Sequence, residues 1–147
     1  MIKDRAEKQA VARQVLEELT DYFEHQETRE RYIRESGEQS FFCAREQGSN
    51  IGFLCLKETG KATVELAVMG VLKGYHRMGV GKGLFQLARE SARAMGYAFM
   101  QVKTVKMGVY EDYDRTNRFY LSMGFQEMEV LPLWDEDNPC QVYIMAL

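Results

Sequence analysis

The sequence predicts a single α/β domain, residues 1–147, in which helices flank a mixed, largely antiparallel central sheet. Three observations lead to this fold class. Apolar residues near the start recur every three or four positions, which is the period of a helix. Two apolar runs then flank QGSN, which is typical of a hairpin. A strand, a glycine-rich loop, a helix and another strand follow in the order of a β-α-β unit.

Two helices are predicted first. From Lys3 to about Phe23 the apolar side chains share one helical face, as the spacing of Val11, Val15, Leu16 and Leu19 indicates. A second, more polar stretch over residues 21–36 stops near Gly37, because glycine is common where helices end. Its charges indicate a solvated face.

Three strands come next. Residues 40–46 and 51–58 are apolar runs joined by QGSN, so they are predicted to form an antiparallel hairpin. In residues 62–72, ATVELAVMGVL, nearly every side chain is apolar. Both faces of this third strand are therefore predicted to be buried, as in the middle of a sheet.

The remaining chain adds two helices and three strands. A helix that Gly96 ends is predicted after the glycine-rich loop, and a strand over residues 97–105 should run parallel to the third strand because a crossover joins them. Asp114 can cap a short helix that Gly124 ends, before strands at 125–134 and 140–147. The buried stripe predicted for the first of these helices is Leu84, Leu87, Ala88, Ser91, Ala92 and Met95.

Composition excludes several classes of function. The formal charge is −3, from 19 basic and 22 acidic residues, so nucleic acid is not an expected partner. No stretch has the length and apolar character of a membrane span, and the first residues lack the apolar run of a secretory signal. We therefore expect a cytoplasmic protein that does not bind membranes.

No metal site is expected. The chain has only two histidines, without H-E-x-x-H spacing. The three cysteines, Cys43, Cys55 and Cys140, form no C-x-x-C pair and lie in apolar, strand-like segments. They are predicted to be reduced and structural.

The loop GYHRMGVGKGLF, residues 74–85, is the strongest functional signal. Glycines at 79, 81 and 83 let the backbone bend and present successive N–H groups, and the helix that follows adds its positive dipole. His76, Arg77 and Lys82 add cationic or hydrogen-bonding groups. This combination favours a phosphate or diphosphate ligand, with a merely flexible turn as the alternative.

Two nucleotide-binding motifs do not fit this loop. A Walker loop would need glycine at position 76 and a hydroxyl at 83, where the chain has His76 and Gly83. A dinucleotide fingerprint would need glycine at 84 and an acidic residue near 100–103, and the chain has neither.

The loop instead resembles the motif [Q/R]-x-x-G-x-[G/A] of the GNAT superfamily of acetyl-CoA-dependent N-acetyltransferases. Here the motif comprises His76, Arg77, Met78, Gly79, Val80 and Gly81. TNRFYLSMGF, residues 116–125, is similar to the family's short helix that carries a tyrosine and ends in glycine and phenylalanine. The resemblance covers about residues 40–147. The family fold usually opens with a strand, and whether this chain has one stays open.

The resemblance implies how acetyl-CoA would bind. The loop and Lys82 would hold its diphosphate, and the pantetheine arm would lie along the strand at Met69, Gly70 and Val71, where two parallel strands splay apart. Gly70 could mark a bulge there. Thr116 and Asn117 lie where the family's helix approaches the pantetheine or adenine part of the cofactor.

The resemblance also suggests catalytic residues for direct acetyl transfer to a primary amine. Glu65 matches the position of a glutamate that serves as base in some members, and a salt bridge or an edge-exposed carboxylate is its structural alternative. Tyr120 matches a tyrosine that donates a proton to the departing thiolate, whereas packing beside Phe119 is its structural alternative.

The acceptor is an amine on a small molecule or a protein, and the sequence does not identify it. It also leaves the oligomeric state open, with a homodimer among the alternatives. Two other functions compete with catalysis: a noncatalytic acyl-CoA-binding regulatory module, and an interaction domain whose loop recognises phosphorylated ligands.

Overall fold

A computed structural model of the chain describes residues Met1–Leu147. The elements in chain order are α1 (Arg5–Glu17), α2 (Gln26–Ser36), β1 (Ser40–Glu46), β2 (Ser49–Gly60), β3 (Thr63–Val71), a 3-10 helix (Lys73–Tyr75), α3 (Val80–Ala94), β4 (Phe99–Val105), α4 (Glu111–Ser122), β5 (Gln126–Leu131) and β6 (Cys140–Ala146).

The six strands form one sheet in the order β1-β2-β3-β4-β6-β5. β1 runs antiparallel to β2, and β6 runs antiparallel to both β4 and β5. β3 and β4 are parallel, with Glu65 opposite Gln101. The predicted mixed, largely antiparallel sheet with one parallel pair is therefore confirmed.

The chain divides into two compact units, Met1–Lys57 with Leu66–Ser91, and Glu58–Glu65 with Ala92–Leu147. The core of the first unit is an apolar cluster that joins α1 and α2 to one face of β1, β2 and β3. Its members include Val11, Val15, Leu16, Ile33, Phe41, Phe53 and Val68. Phe41 and Phe53 stack with ring centroids 5.2 Å apart. A single domain over 1–147 stays a prediction.

In the first unit the backbone of β2 and β3 packs closely because glycine stands at two positions. A Cβ atom on Gly52 would lie 3.1 Å from the carbonyl oxygen of Gly70, and one on Gly70 would lie 3.1 Å from Leu19 and 3.2 Å from Val15. Glycine at 70 is therefore explained by the close approach of α1.

The second unit is built around β4 and β6, whose register runs from Phe99 opposite Ala146 to Val105 opposite Cys140. β5 pairs with β6 and carries an irregularity between Glu127 and Glu129. Gly124 follows α4 with a φ of 104°, a left-handed conformation that glycine adopts without strain, so it ends the helix as predicted.

The hairpin and the third strand follow the predictions. β1 covers residues 40–46 as expected, and the turn consists of Gln47 and Gly48, with φ values of 50° and 81°. Positive φ at both turn residues matches the twist of paired strands. Along β3 the side chains at Val64, Glu65, Leu66 and Val68 are all buried.

Four local predictions were wrong. α1 ends at Glu17, although Leu19 and Phe23 still reach the same apolar cluster through a turn. α2 begins at Gln26 and not near residue 21. On α3, Leu87 is 54% exposed and Met95 is 49% exposed, and Phe85 is buried instead. α4 begins at Glu111, so Asp114 lies inside its first turn, where it accepts a hydrogen bond from Gly108 N–H at 2.7 Å.

Before α1 the chain makes a single β-bridge. Ile2 pairs with Phe41, and its N–H donates to the Phe41 carbonyl at 3.0 Å. This one bridge stands where the family usually has a full strand.

The three cysteines are free thiols, and Cys55 and Cys140 are fully buried. Burial raises the pKa of both thiols. No helix combines the length and the apolar character that crossing a bilayer requires.

We predict that Gly52→Ala lowers the free energy of unfolding by about 1–3 kcal/mol, because the added methyl group meets backbone that has little room to move. Gly60→Ala is the matched control in the same strand, since a Cβ there would meet nothing within 4 Å. It should change stability by less than about 0.5 kcal/mol. Urea denaturation measures both, and equal effects would contradict the packing argument.

Candidate active site

The predicted anion-binding loop is a sharply bent segment between the 3-10 helix and α3. Arg77 and Gly79 have φ values of 65° and 79°. The Gly79 carbonyl accepts the first hydrogen bond of α3, from Gly83 N–H at 2.9 Å. The N–H groups of the first residues of α3, Val80, Gly81 and Lys82, therefore have no partner within the helix and carry its positive end.

His76 anchors this loop. Its Nε2 atom lies 2.7 Å from the carbonyl oxygen of Val71, the last residue of β3. A carbonyl oxygen only accepts hydrogen bonds, so Nε2 carries the proton. The imidazole thus links the loop to the end of β3. Position 76 is the one at which the GNAT motif usually has glutamine or arginine.

Cationic side chains surround the same loop. Arg77 and Lys82 are exposed, and Met78 is 64% exposed. Met69 and Val71, predicted to lie beside the pantetheine arm, are half-buried on β3. In the first unit the residues predicted to bind the cofactor therefore form one continuous segment, from the end of β3 through the loop to the start of α3.

In the second unit, Asn117 is the centre of a buried hydrogen-bond network. Its side-chain amide donates to the carbonyls of Val105 at 2.9 Å and Tyr113 at 2.6 Å. Its oxygen accepts from the Tyr143 hydroxyl at 2.5 Å. These bonds connect α4 to β4 and β6. Asn117 is completely buried, so its amide is not displayed at a surface.

Tyr120 lies one turn further along α4 and packs into an aromatic cluster. Its ring centroid is 5.8 Å from Phe119, 5.8 Å from Phe125 and 6.1 Å from Tyr143. The residue is only 7% exposed. Packing beside Phe119 is therefore observed. The three ring contacts fix the orientation of the Tyr120 ring independently of any role of its hydroxyl.

Thr116 is half-buried, and its hydroxyl lies 3.3 Å from the carbonyl oxygen of Asp112. This back-bond within α4 is a common arrangement for threonine in helices. Thr116 directly precedes Asn117, the centre of the buried network.

Glu65 is buried and forms an ion pair with Lys103 on the neighbouring strand. Its Oε1 atom lies 2.5 Å from Lys103 Nζ, and the two side chains are 9% and 28% exposed. The salt bridge that the sequence left as an alternative is present. The ammonium supplies the opposite charge that a buried carboxylate requires.

Strand register assigns these groups to faces of the sheet. Glu65 lies opposite Gln101, and Lys103 follows on the same face because side chains alternate along a strand. Val102, opposite Tyr143, points to the other face. The ion pair and the Tyr143–Tyr120 cluster therefore lie on opposite faces.

Sequence reasoning missed two residues of this region, Lys103 and Tyr143. Alternation along β4 could have placed Lys103 on the same face as Gln101, but the register of β3 against β4 was needed to bring it to Glu65. Tyr143 sits in an apolar strand and has no local signal that would reveal its partner on α4.

No group of three or more His, Cys, Asp or Glu side chains is arranged to hold a metal ion.

The chain belongs to the Acetyltransferase (GNAT) family, whose pattern it matches over residues 7–125. This match covers the loop, Glu65 and Tyr120, and it confirms the resemblance noted in the sequence. A search of curated proteins found no match.

Solved structures of this family share the fold. A GNAT-family protein from Desulfovibrio desulfuricans is 20% identical with a TM-score of 0.85, over 95% of this chain and 92% of its own. An aminoglycoside 6'-N-acetyltransferase complexed with coenzyme A is 17% identical with a TM-score of 0.73, over 97% and 89%. A GNAT-family acetyltransferase from Elizabethkingia anophelis with acetyl-CoA bound is 16% identical with a TM-score of 0.67, over 84% of each chain.

We predict that Tyr143→Phe lowers the free energy of unfolding at pH 8 by about 1 kcal/mol, because Asn117 loses a hydrogen-bond donor. Burial, and to a lesser extent Glu127, raises the pKa of Tyr143 above its ordinary value of 10.0. The hydroxyl therefore contributes its stability below pH 10, and the contribution is lost as the pH rises through the raised pKa of the folded protein.

The stability difference between wild type and Tyr143→Phe should accordingly shrink above pH 10. Urea denaturation at pH 8 and at a series of alkaline pH values measures it. Other tyrosines are common to both proteins and cancel in the difference. A stability difference that does not change with pH would contradict the role of the Tyr143 hydroxyl as a hydrogen-bond donor to Asn117.

Proposed function

We propose that the protein is an acetyl-CoA-dependent N-acetyltransferase that moves an acetyl group directly to a primary amine. The observation that carries this proposal is the loop at residues 76–82, whose left-handed backbone at Arg77 and Gly79 leads into the open N-terminus of α3 in a chain of the GNAT family. Two solved relatives in fold hold coenzyme A or acetyl-CoA, which supports the choice of donor.

The donor's diphosphate is assigned to this loop. N–H groups of Val80, Gly81 and Lys82 would donate to its oxygens, and Arg77 and Lys82 would add positive charge. His76 acts through its bond to the Val71 carbonyl, which keeps the loop tied to β3. Met78 and the half-buried Met69 and Val71 would contact the less polar parts of the donor.

Tyr120 is assigned to the leaving group. When the amine nitrogen bonds to the acetyl carbonyl carbon, the carbon–sulfur bond breaks and the sulfur departs with the electron pair. The Tyr120 hydroxyl can give that sulfur a proton. Asn117 and Thr116 lie one turn earlier on α4, and we assign Asn117 to positioning this helix through its bonds to Val105 and Tyr143.

The amine must lose a proton before or during attack, because an ordinary lysine-like amine has a pKa of about 10.4. Glu65 or a water molecule would take this proton. Because Glu65 and Tyr120 lie on opposite faces of the sheet, Glu65 would act on the amine from one face and Tyr120 on the sulfur from the other. The bond between Glu65 and Lys103 places the carboxylate in a fixed orientation, and an acceptor amine would approach it beside the ammonium.

A noncatalytic acyl-CoA-binding module is the second candidate. The loop alone would serve such a module equally well, whereas catalysis also requires a proton donor to the departing thiolate, the role assigned to Tyr120. Free thiol released from acetyl-CoA in the presence of an amine panel separates the two, because a passive binder releases none.

We predict that Lys82→Glu weakens acetyl-CoA binding by about tenfold or more, because it reverses a charge at the proposed diphosphate site. Glutamate in the first turn of a helix interacts favourably with the helix dipole, so α3 should still form. Titration calorimetry with acetyl-CoA measures the change. Lys61→Glu, an equal charge reversal at an exposed position outside the loop, is the control and should bind as wild type does.

We predict that Tyr120→Phe lowers kcat by about 10² while the KM for acetyl-CoA changes little, because the proton donor to sulfur is lost. The ring and its aromatic packing remain, so the variant should still fold, which circular dichroism checks. Tyr110→Phe, on an exposed tyrosine before α4, controls for loss of a hydroxyl. Full activity in a folded Tyr120→Phe protein would remove Tyr120 from the mechanism.

A further inference from the structure

The Glu65–Lys103 pair differs from an ordinary surface ion pair in its burial. Its side chains are 9% and 28% exposed, whereas those of Arg13 and Glu30 are 46% and 42% exposed. Taking two charges out of water is costly, and well-packed apolar residues of similar size are often at least as stabilising. Stability alone therefore gives a weak reason for these two residues at this place.

The surroundings of the pair make its charges effective. On the same face of the sheet lie Val105, Cys140 and Val142, all buried. The Cys140 thiol is close enough that Lys103 and Glu65 shift its pKa in opposite directions, while burial raises it most. Because Glu65 is buried, the charges of the pair interact more strongly here than they would at an open surface.

The pair is electrically neutral as a unit, and this decides which ligands it favours. A ligand with only positive charge is attracted by Glu65 and repelled by Lys103 at nearly the same distance, so it gains little. A ligand that carries an ammonium and a carboxylate complements both charges. Lys103 has three N–H donors, its bond to Glu65 uses one, and its partial exposure leaves it accessible to a ligand.

We infer that Lys103 binds the carboxylate of the acceptor, and that the acceptors of this enzyme are amines that also carry a carboxylate, such as amino acids and their derivatives. The inference rests on the proposed function, in which the acceptor amine approaches Glu65. Polyamines and other purely cationic amines are then poor acceptors.

The test uses the wild-type protein, acetyl-CoA and matched sets of amines. Each set contains an amino acid, its amide and the amine that lacks the carboxyl group; lysine, lysinamide and cadaverine form one set. Free-thiol release gives kcat/KM for each. The expected result is a preference of about tenfold or more for the carboxylate member in at least one set.

Two variants identify the residue responsible. Lys103→Arg retains a cation and should retain the preference. Replacing Lys103 alone would leave Glu65 buried without its counter-charge. The neutral double variant Glu65→Gln/Lys103→Gln is therefore used instead. It should lose the preference between acid and amide, whatever its overall rate. Lys106→Gln, at an exposed lysine just after β4, should keep the preference of wild type.

The outcomes separate this inference from the proposed function. Thiol release that is equal or faster with amides and simple amines overturns the inference and leaves the acetyltransferase assignment standing. A double variant that folds and keeps the preference for the acid overturns the role of Lys103. Acetyl-CoA binding with no thiol release from any amine contradicts the proposed catalysis, and the inference falls with it.

Discussion

The buried side chain of Asn117 is the constraint on which the second unit depends. One amide joins a helix to two strands, by donating to Val105 and accepting from Tyr143. A buried amide is costly unless its hydrogen bonds are made, so α4 has one favourable position against β4 and β6. The position of Tyr120 follows, because it lies three residues further along the same helix and packs on the Tyr143 ring.

The first unit fixes its functional groups in a different way, through backbone geometry. Left-handed conformations at Arg77 and Gly79 turn the chain into α3 and leave the first N–H groups of the helix open. His76 holds the turn against the end of β3. The loop therefore presents donors whose direction depends on the main chain, and side-chain substitutions such as histidine for glutamine or arginine leave that direction intact.

Much of the fold was predictable because local physics determines it. The helical period of α1, the positive-φ turn at Gln47 and Gly48, and the apolar run of β3 each act over a few residues. Tertiary packing selected the buried face of α3, where Phe85 replaces Leu87, and α1 stops at Glu17, earlier than its apolar spacing predicts. Asp114 has the right residue type for a helix cap, but its carboxylate serves the loop at Gly108 instead.

The sequence was sufficient for the family, because its motifs are written in consecutive residues. The phosphate-type loop and the candidate tyrosine come from the same motifs and stay predictions. The sequence could not decide what Glu65 does or what Asn117 holds, since both depend on partners 38 and 26 positions away in the chain. Only the register of β3 against β4 and the packing of α4 on the sheet bring Lys103 and Tyr143 to them. A carboxylate or an amide has many uses in a folded protein, and the partner that the fold supplies selects among them.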